Sequence, residues 1–309
     1  MQYCFNTDAR LASSVPDENA PIIIVAIPTL DRPEFLWNLL LDLKRLDHPC
    51  GTVVRFLVVD NSPNGDWEAL VTEAERNTGL SLNYRHEPER GLAHVRNRCL
   101  DEAERLAGDY MFFLDDDQTP VPDALVANFR AMRLHNAQVV FGAVRARYLT
   151  AVPRWMRRSR VHDGPAHDEG ELLDYADTSN VFFDLFFSRK FGTRFDLGFN
   201  FTGGEDTLFF RTINASGGRI VYCADALVYE NISAPRATLR WLIKRWRCTG
   251  NNCARIDLAM SGSTRRAAHL FGGLARIAAG FTLAVLAVPA ALAGHFEHFA
   301  ESRIPQVDL

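Results

Sequence analysis

The sequence predicts an α/β fold, a mostly parallel central sheet covered by helices on both faces. Three observations carry this expectation. Short continuous apolar runs recur, as strands buried on both faces require. Stretches with apolar residues at helical spacing lie between them. The two patterns alternate up to about residue 145, the order that builds parallel strands through helical crossovers. With 309 residues, 47% apolar and 23% charged, the chain can bury one large core or two ordinary ones.

The elements follow in order. "PIIIVAI" (Pro21 to Ile27) is a buried strand ending at Pro28. Pro33 suits the first turn of a helix running to Leu46. "VVRFLVVD" (Val53 to Asp60) is a second strand, stopped by Asn61-Ser62-Pro63. A helix is expected from Trp67 to Arg76, a strand from Leu80, a helix from Gly91 to Ala107, and a fourth strand at "YMFFL" from Tyr110. Pro122 to Leu134 reads as a helix and "AQVVFGAV" as a strand. The pattern then loosens between Arg145 and Tyr175. Beyond it, "VFFDLFFS" adds a strand, a helix starts near Glu205 after Gly203-Gly204, and "RIVYCADALVYE" gives two short strands. A long helix is expected from Arg236 to Leu258, with Arg240, Lys244 and Arg247 on one face.

Bulk properties narrow the function. A net charge of −4 gives no electrostatic footprint for nucleic acid. Lys44, Lys190 and Lys244 are the only lysines, so arginine, with its fork for phosphates and carboxylates, supplies nearly all the positive charge. The six cysteines form no CxxC pair, which argues against a zinc site or disulfide framework and for reduced thiols. No basic region followed by an apolar run opens the chain, so no signal peptide is expected. Residues 1–20 read as a polar lead. Residues 21–235 read as the catalytic unit, with halves at about 21–145 and 146–235. Residues 236–309 read as a helical extension. Within it, Ile277 to Gly294 carries no charge, and Arg265, Arg266 and Arg276 precede it. A spanning helix needs roughly 17–25 such residues. Membrane contact here is expected, with the upstream unit on the cytoplasmic side.

Ligands of parallel α/β sheets bind beyond the carboxyl ends of the strands. Thr29, Asp31 and Arg32 follow the first strand, Asp60 ends the second, and Asp115, Asp116 and Asp117 end the fourth. Clustered aspartates repel, and a divalent cation such as Mg²⁺ or Mn²⁺ would compensate them. No GxxxxGK[ST] loop is present, so a P-loop nucleotide site is not indicated. Arg90-Gly91 and the helix beginning there, with His94 and Arg96, offer charge and N–H groups to a diphosphate.

Asp115, Asp117 and Thr119 also fit Asp-x-Asp-x-Thr, the first motif of haloacid-dehalogenase-type phosphatases. That motif normally opens its fold, whereas three strand–helix units precede it here. A nucleotidyltransferase would use carboxylate-held metal beside a sheet, but its glycine-rich early loop is missing. A catalytically degenerate carbohydrate-binding protein is the non-enzymatic alternative.

Five segments favour a different reading: "VAIPTLDRPEFLWNLL", "FLVVDNSPNGD", "ERGLAHVRNRCLDEA", "YMFFLDDDQTPVPDAL" and "FTGGEDTLFFRT". In this order they resemble family 2 glycosyltransferases of GT-A fold, in particular bacterial exopolysaccharide enzymes of the succinoglycan type. The resemblance implies a nucleotide-sugar site at Pro28, Thr29, Asp31, Arg32, Asp60, Asn61, Arg90, Gly91, Arg96, Asp115 and Asp116. It implies a metal held by Asp117 and Asp115, and a catalytic base at Asp206, with Glu205 as runner-up. "RWLIKRW" matches the Gln-x-x-Arg-Trp motif of processive members at Arg245 and Trp246, but Leu242 replaces the glutamine. Polymerisation is not expected, and Lys244, Arg245 and Arg247 either close over the donor diphosphate or rest on anionic lipid headgroups. "RARYLTAVPRWMRRSR" (Arg145 to Arg160) interleaves aromatics and arginines, as a loop contacting the acceptor would. The resemblance implies inverting transfer from a UDP-sugar to a saccharide acceptor, a lipid-linked one, at the cytoplasmic face of a bacterial inner membrane.

Overall fold

The computed structural model describes residues 20–261. The polar lead up to residue 19, the apolar segment 277–294 and its flanking arginines lie outside them. Among the described residues, no helix is long and apolar enough to cross a membrane.

The first strand shows why both faces of the sheet are covered. β1 (Ile22–Thr29) sends alternate residues to opposite sides. Ile23, Val25 and Ile27 enter one core, while Ile24 and Ala26 enter the other. A continuous apolar run is therefore needed. α1 (Pro33–Asp42) starts at Pro33 and closes the first core with Leu36, Leu39 and Leu40. β2 (Val53–Asp60), α2 (Glu68–Thr78) and β3 (Leu82–His86) extend this half. α3 (Leu92–Arg105) covers the second core with Ala93, Val95, Cys99 and Leu100. β4 (Tyr110–Phe113) divides its residues in the same way, with Phe112 in the first core and Met111 and Phe113 in the second. Each buried Val, Leu, Ile, Phe or Met among these contributes about 1.5–3 kcal/mol.

β5 (Gln118–Pro120), α4 (Ala124–His135), β6 (Val139–Tyr148), α5 (Arg154–Arg158), β7 (Leu172–Leu173), β8 (Val181–Asp184), α6 (Leu185–Lys190), α7 (Glu205–Ala215), β9 (Ile220–Ile232) and α8 (Leu239–Ser261) complete the order. The sheet runs β3-β2-β1-β4-β8-β6-β9-β5, with β7 paired to β9. Its first four strands are parallel, as expected.

The second half corrects the expectation of a mostly parallel sheet. β8 is antiparallel to both β4 and β6, and β5 and β7 are antiparallel to β9. The sheet is mixed. The long excursion after β6 returns the chain in the opposite direction, and no helical crossover reverses it. "VFFDLFFS" is only half a strand, because Asp184 Oδ1 accepts from the N–H groups of Phe186 and Phe187 at 2.8 and 3.2 Å and starts α6. "RIVYCADALVYE" forms one strand, whose register with β6 shifts between Gly142 and Ala143. Thr119, the threonine of the Asp-x-Asp-x-Thr match, pairs with Tyr229 as part of β5.

Asn180 fastens that register shift. It is fully buried with φ 70°, and its Nδ2 donates to the carbonyls of Ala143 at 2.8 Å and Ala226 at 2.6 Å. It also fixes the segment Asp177-Thr178-Ser179 that precedes it. Asn180→Ala leaves both carbonyls unpaired in the core and strains the left-handed backbone. We expect a loss of about 2–5 kcal/mol in denaturant unfolding.

Candidate active site

Asp115 to Gln118 form a turn between β4 and β5, closed by Gln118 N donating to Asp115 O at 3.0 Å, and the turn separates the surroundings of the three aspartates. Asp116 points into the protein. Its Oδ2 accepts from Thr29 Oγ1 at 2.8 Å, and its Oδ1 lies 2.5 Å from Arg32 Nη2. Asp117 Oδ2 accepts from Arg32 Nη1 and Arg236 Nη1, both at 2.7 Å. Arg236 also pairs with Glu230. Asp115 makes no side-chain hydrogen bond or ion pair among the described residues and lines the cavities. Burial pushes its carboxyl up to about 8 despite the opposing pull of Arg96. Burial likewise raises Asp116 to about 6, with Arg32 opposing.

A second carboxylate group comes from α7. Gly204, at φ 92°, turns the chain into that helix, and a β-carbon there would approach Asn252 Cβ to 3.0 Å. Glu205 and Asp206 then occupy the first turn. Arg96 of α3 is buried between them, paired with Glu205 and 3.5 Å from Asp206 Oδ2. The Glu205 side chain is 1% exposed, whereas that of Asp206 is 18% exposed. Burial lifts Glu205 to about 7, with Arg96 resisting. Asp206 Oδ2 accepts from Thr178 Oγ1 at 3.5 Å. The neighbouring Asp177 is pushed up to about 6, first by burial and then by the Asp206 charge.

These groups line two adjoining cavities. The smaller, about 250 Å³, is bounded by Pro28, Thr29, Asn61, Arg90, Gly91 and Asn200. The larger, about 500 Å³, holds Asp117, Asp177, Glu205, Asp206, Arg236 and Arg245. Arg32, Leu92, Arg96 and Asp115 line both. Thus most residues singled out from sequence converge. Asp31 is exposed and lines neither cavity, and Asp116 is turned inward. Asp60 is fully buried and lines neither. Its carboxylate accepts from Ser62 N, Ser62 Oγ, Trp67 N and Tyr84 Oη at 2.8–3.2 Å, so it shapes the loop after β2.

The start of α3 also differs from expectation. The amide of Gly91 donates to Asn61 Oδ1 at 2.8 Å, and that of Ala93 donates to Asn200 Oδ1 at 3.0 Å. Leu92 N donates to Asn200 O at 3.4 Å. These N–H groups are spent on the protein rather than offered to a diphosphate. Gly91 is required here, because at φ 138° a β-carbon would fall inside the Asn200 amide.

The sequence from residue 24 to 202 matches the family model described as glycosyl transferase family 2. The chain belongs to that family. It is a glycosyltransferase, and its α/β sheet is of GT-A type. It is 34% identical over 280 residues to the succinoglycan biosynthesis protein ExoM of Rhizobium meliloti, covering 90% of this chain and 88% of that protein. Its fold resembles the mannosyltransferase PcManGT of Pyrobaculum calidifontis, solved with GDP-Man and Mn²⁺. The TM-score is 0.60 at 18% identity, over 93% of this chain and 85% of that one. It also resembles S. aureus TarS residues 1–349 solved with UDP-GlcNAc, with a TM-score of 0.55 at 18% identity, over 80% and 69% of the two chains. Against a longer TarS chain the match spans 41% of that chain.

Several residues of this transferase site carry no local sequence signal. Arg236, Glu230 and Asp177 meet the aspartates only through the fold, and Asn200 reaches α3 from more than a hundred residues away. Leu242, which replaces the glutamine of the processive motif, is buried, while Arg245 faces the larger cavity. The acidic donors suit Mg²⁺ or Mn²⁺: Asp115 is unpaired and only one oxygen of Asp117 is engaged by arginine. Among the described residues, no three His, Cys, Asp or Glu side chains form a metal-holding group. A cation here needs further oxygens from phosphate or water.

The raised carboxyls have a measurable consequence. Between their ordinary values near 4 and about 8, the folded state binds more protons than the unfolded state. Stability of the protein in EDTA therefore falls as pH rises through that window. Thermal melts should show a lower Tm at pH 8 than at pH 5.5. Asp177→Asn should flatten the part of this slope between about pH 4 and pH 6.

Proposed function

We propose that this transferase moves a sugar from a UDP-sugar to a saccharide acceptor, with inversion at the anomeric carbon and with Mg²⁺ or Mn²⁺ as cofactor. The observation that carries the reading is the junction of the two cavities at Arg32, Leu92, Arg96 and Asp115, with Asp206 in the larger one. The smaller cavity suits a nucleoside and the larger one suits the sugar and acceptor. The structures solved with UDP-GlcNAc and with GDP-Man and Mn²⁺ support a nucleotide-sugar donor and a divalent cation. The relative named for succinoglycan biosynthesis supports a role in bacterial polysaccharide assembly. We assign the acceptor to a lipid-linked saccharide at the cytoplasmic face of the inner membrane, with segment 277–294 as the membrane contact.

In this scheme Asp206 takes the proton of the acceptor hydroxyl. The oxygen forms its bond to the anomeric carbon as the carbon–oxygen bond to the diphosphate breaks. UDP departs with that electron pair. Asp115 and Asp117 would hold the cation, which would supply charge neutralisation for the departing diphosphate, and Arg245 adds positive charge from α8. Glu205 is enclosed and paired with Arg96, so it orients Asp206 rather than meeting the acceptor.

Asp206→Asn should lower turnover by about 10²–10⁴-fold while donor affinity holds, read by UDP release and by calorimetry. Near wild-type turnover would overturn the base assignment. Asp117→Ala should abolish the metal-dependent part of UDP binding. If calorimetry gives one affinity with and without EDTA for both proteins, the cation is not held at Asp117.

A further inference from the structure

A third cavity, of about 370 Å³, lies between the end of β6 and the segment that follows it. It shares no lining residue with the two cavities of the transferase site. Arg145, Arg147, Arg157 and Arg160 line it, with Tyr148 and Tyr229. Its acid is Asp163, which is occupied: Oδ1 accepts from Ala146 N at 2.9 Å, and Oδ2 accepts from Arg160 Nε at 2.7 Å. Arg145, Arg147 and Arg157 form no ion pair among the described residues. Three exposed guanidinium groups thus face one open groove whose single carboxylate is already taken by Arg160, and their mutual repulsion favours entry of an anion.

The walls are built rather than loose. Arg147 lies over the Tyr229 ring at 4.5 Å, which orients its fork. Tyr148 Oη donates to Met156 O at 3.2 Å and sits 2.9 Å from His162 Nδ1. Gly164 N donates to Val144 O at 3.0 Å. These contacts tie the segment carrying Arg157 and Arg160 back to β6. His162 in turn stacks on Trp241, which lines the transferase cavity. Along β9, Tyr229 and Glu230 alternate to opposite faces, so the basic cavity and the carboxylate cavity sit back to back.

We propose that this cavity is a second phosphate-binding site, one that takes a phosphate or diphosphate group other than the donor's. Forked guanidinium groups around a space of this size match phosphate oxygens in geometry and charge. That the phosphate belongs to the acceptor's lipid carrier rests on the function proposed above; the anion site itself does not.

The test titrates the full-length protein with inorganic diphosphate in EDTA, which silences cation-dependent binding in the donor cavity. The wild type should bind. Arg145→Gln combined with Arg147→Gln should weaken binding by about ten-fold or more, while leaving UDP affinity with Mg²⁺ unchanged. Equal diphosphate affinity in the two proteins, or none in the wild type, overturns the proposal. Vesicle co-sedimentation then distinguishes the source at matched charge. Loss by the double variant on vesicles carrying polyprenyl diphosphate assigns the site to the acceptor. Loss only on phosphatidylglycerol assigns it to lipid headgroups, and retention on both overturns it. UDP release in the same variant reports separately on the transferase reading.

Discussion

The site depends on balancing carboxylates that the fold has removed from water. Asp115, Asp116, Asp117, Asp177, Glu205, Asp206 and Glu230 gather at one edge, and they repel one another at the distances that burial imposes. Arg32, Arg96 and Arg236 hold them together. Arg96 joins α3 to α7 across 109 positions of sequence, and Arg236 joins the segment before α8 to Asp117 across 119. Buried pairs of this kind add little net stability, because desolvation offsets their attraction. What they provide is geometry. Removing one partner would strand a charge, so each pair fixes where its elements must sit.

That geometry makes α8 part of the site rather than an appendage. Asn252 Nδ2 donates to Thr202 O at 2.9 Å, and Arg255 Nη2 donates to Gly198 O at 2.8 Å. Both clamp the loop that leads into Gly203-Gly204 and Glu205. Leu242 is buried on the same helix, while Trp241 and Arg245 face the cavity. α8 thus lines the carboxylate cavity and holds the loop that leads into α7.

The sequence disclosed what local patterns can carry. Continuous apolar runs located β1, β2 and β4, because a strand buried on both faces has no polar side. The aspartates and the Glu-Asp pair were legible because strand ends and helix starts place polar residues predictably. The mixed second half was not legible, since strand direction after a long excursion depends on how the chain returns. Asp60 looked like a site residue by its position at a strand end. Its burial depends on Ser62, Trp67 and Tyr84 closing around it, which spacing alone does not encode. Arg236 and Asn200 were invisible for the same reason: their partners lie far away in sequence.

Within each acidic motif, adjacent residues have divided roles, and backbone geometry explains why. In the turn that joins β4 to β5, Asp116 faces Thr29 while Asp115 and Asp117 face the cavity. On a helix successive residues are turned by about 100°. Glu205 accordingly meets Arg96 in the interior while Asp206 is presented to the cavity. The longer glutamate suits the inward place, where a buried guanidinium must be reached. The shorter aspartate keeps its carboxylate close to the backbone, where Thr178 and its own neighbouring amide can orient it. Exchanging the two residues would preserve the charge yet lose both fits. The acidic pair therefore works as one inward anchor and one outward carboxylate.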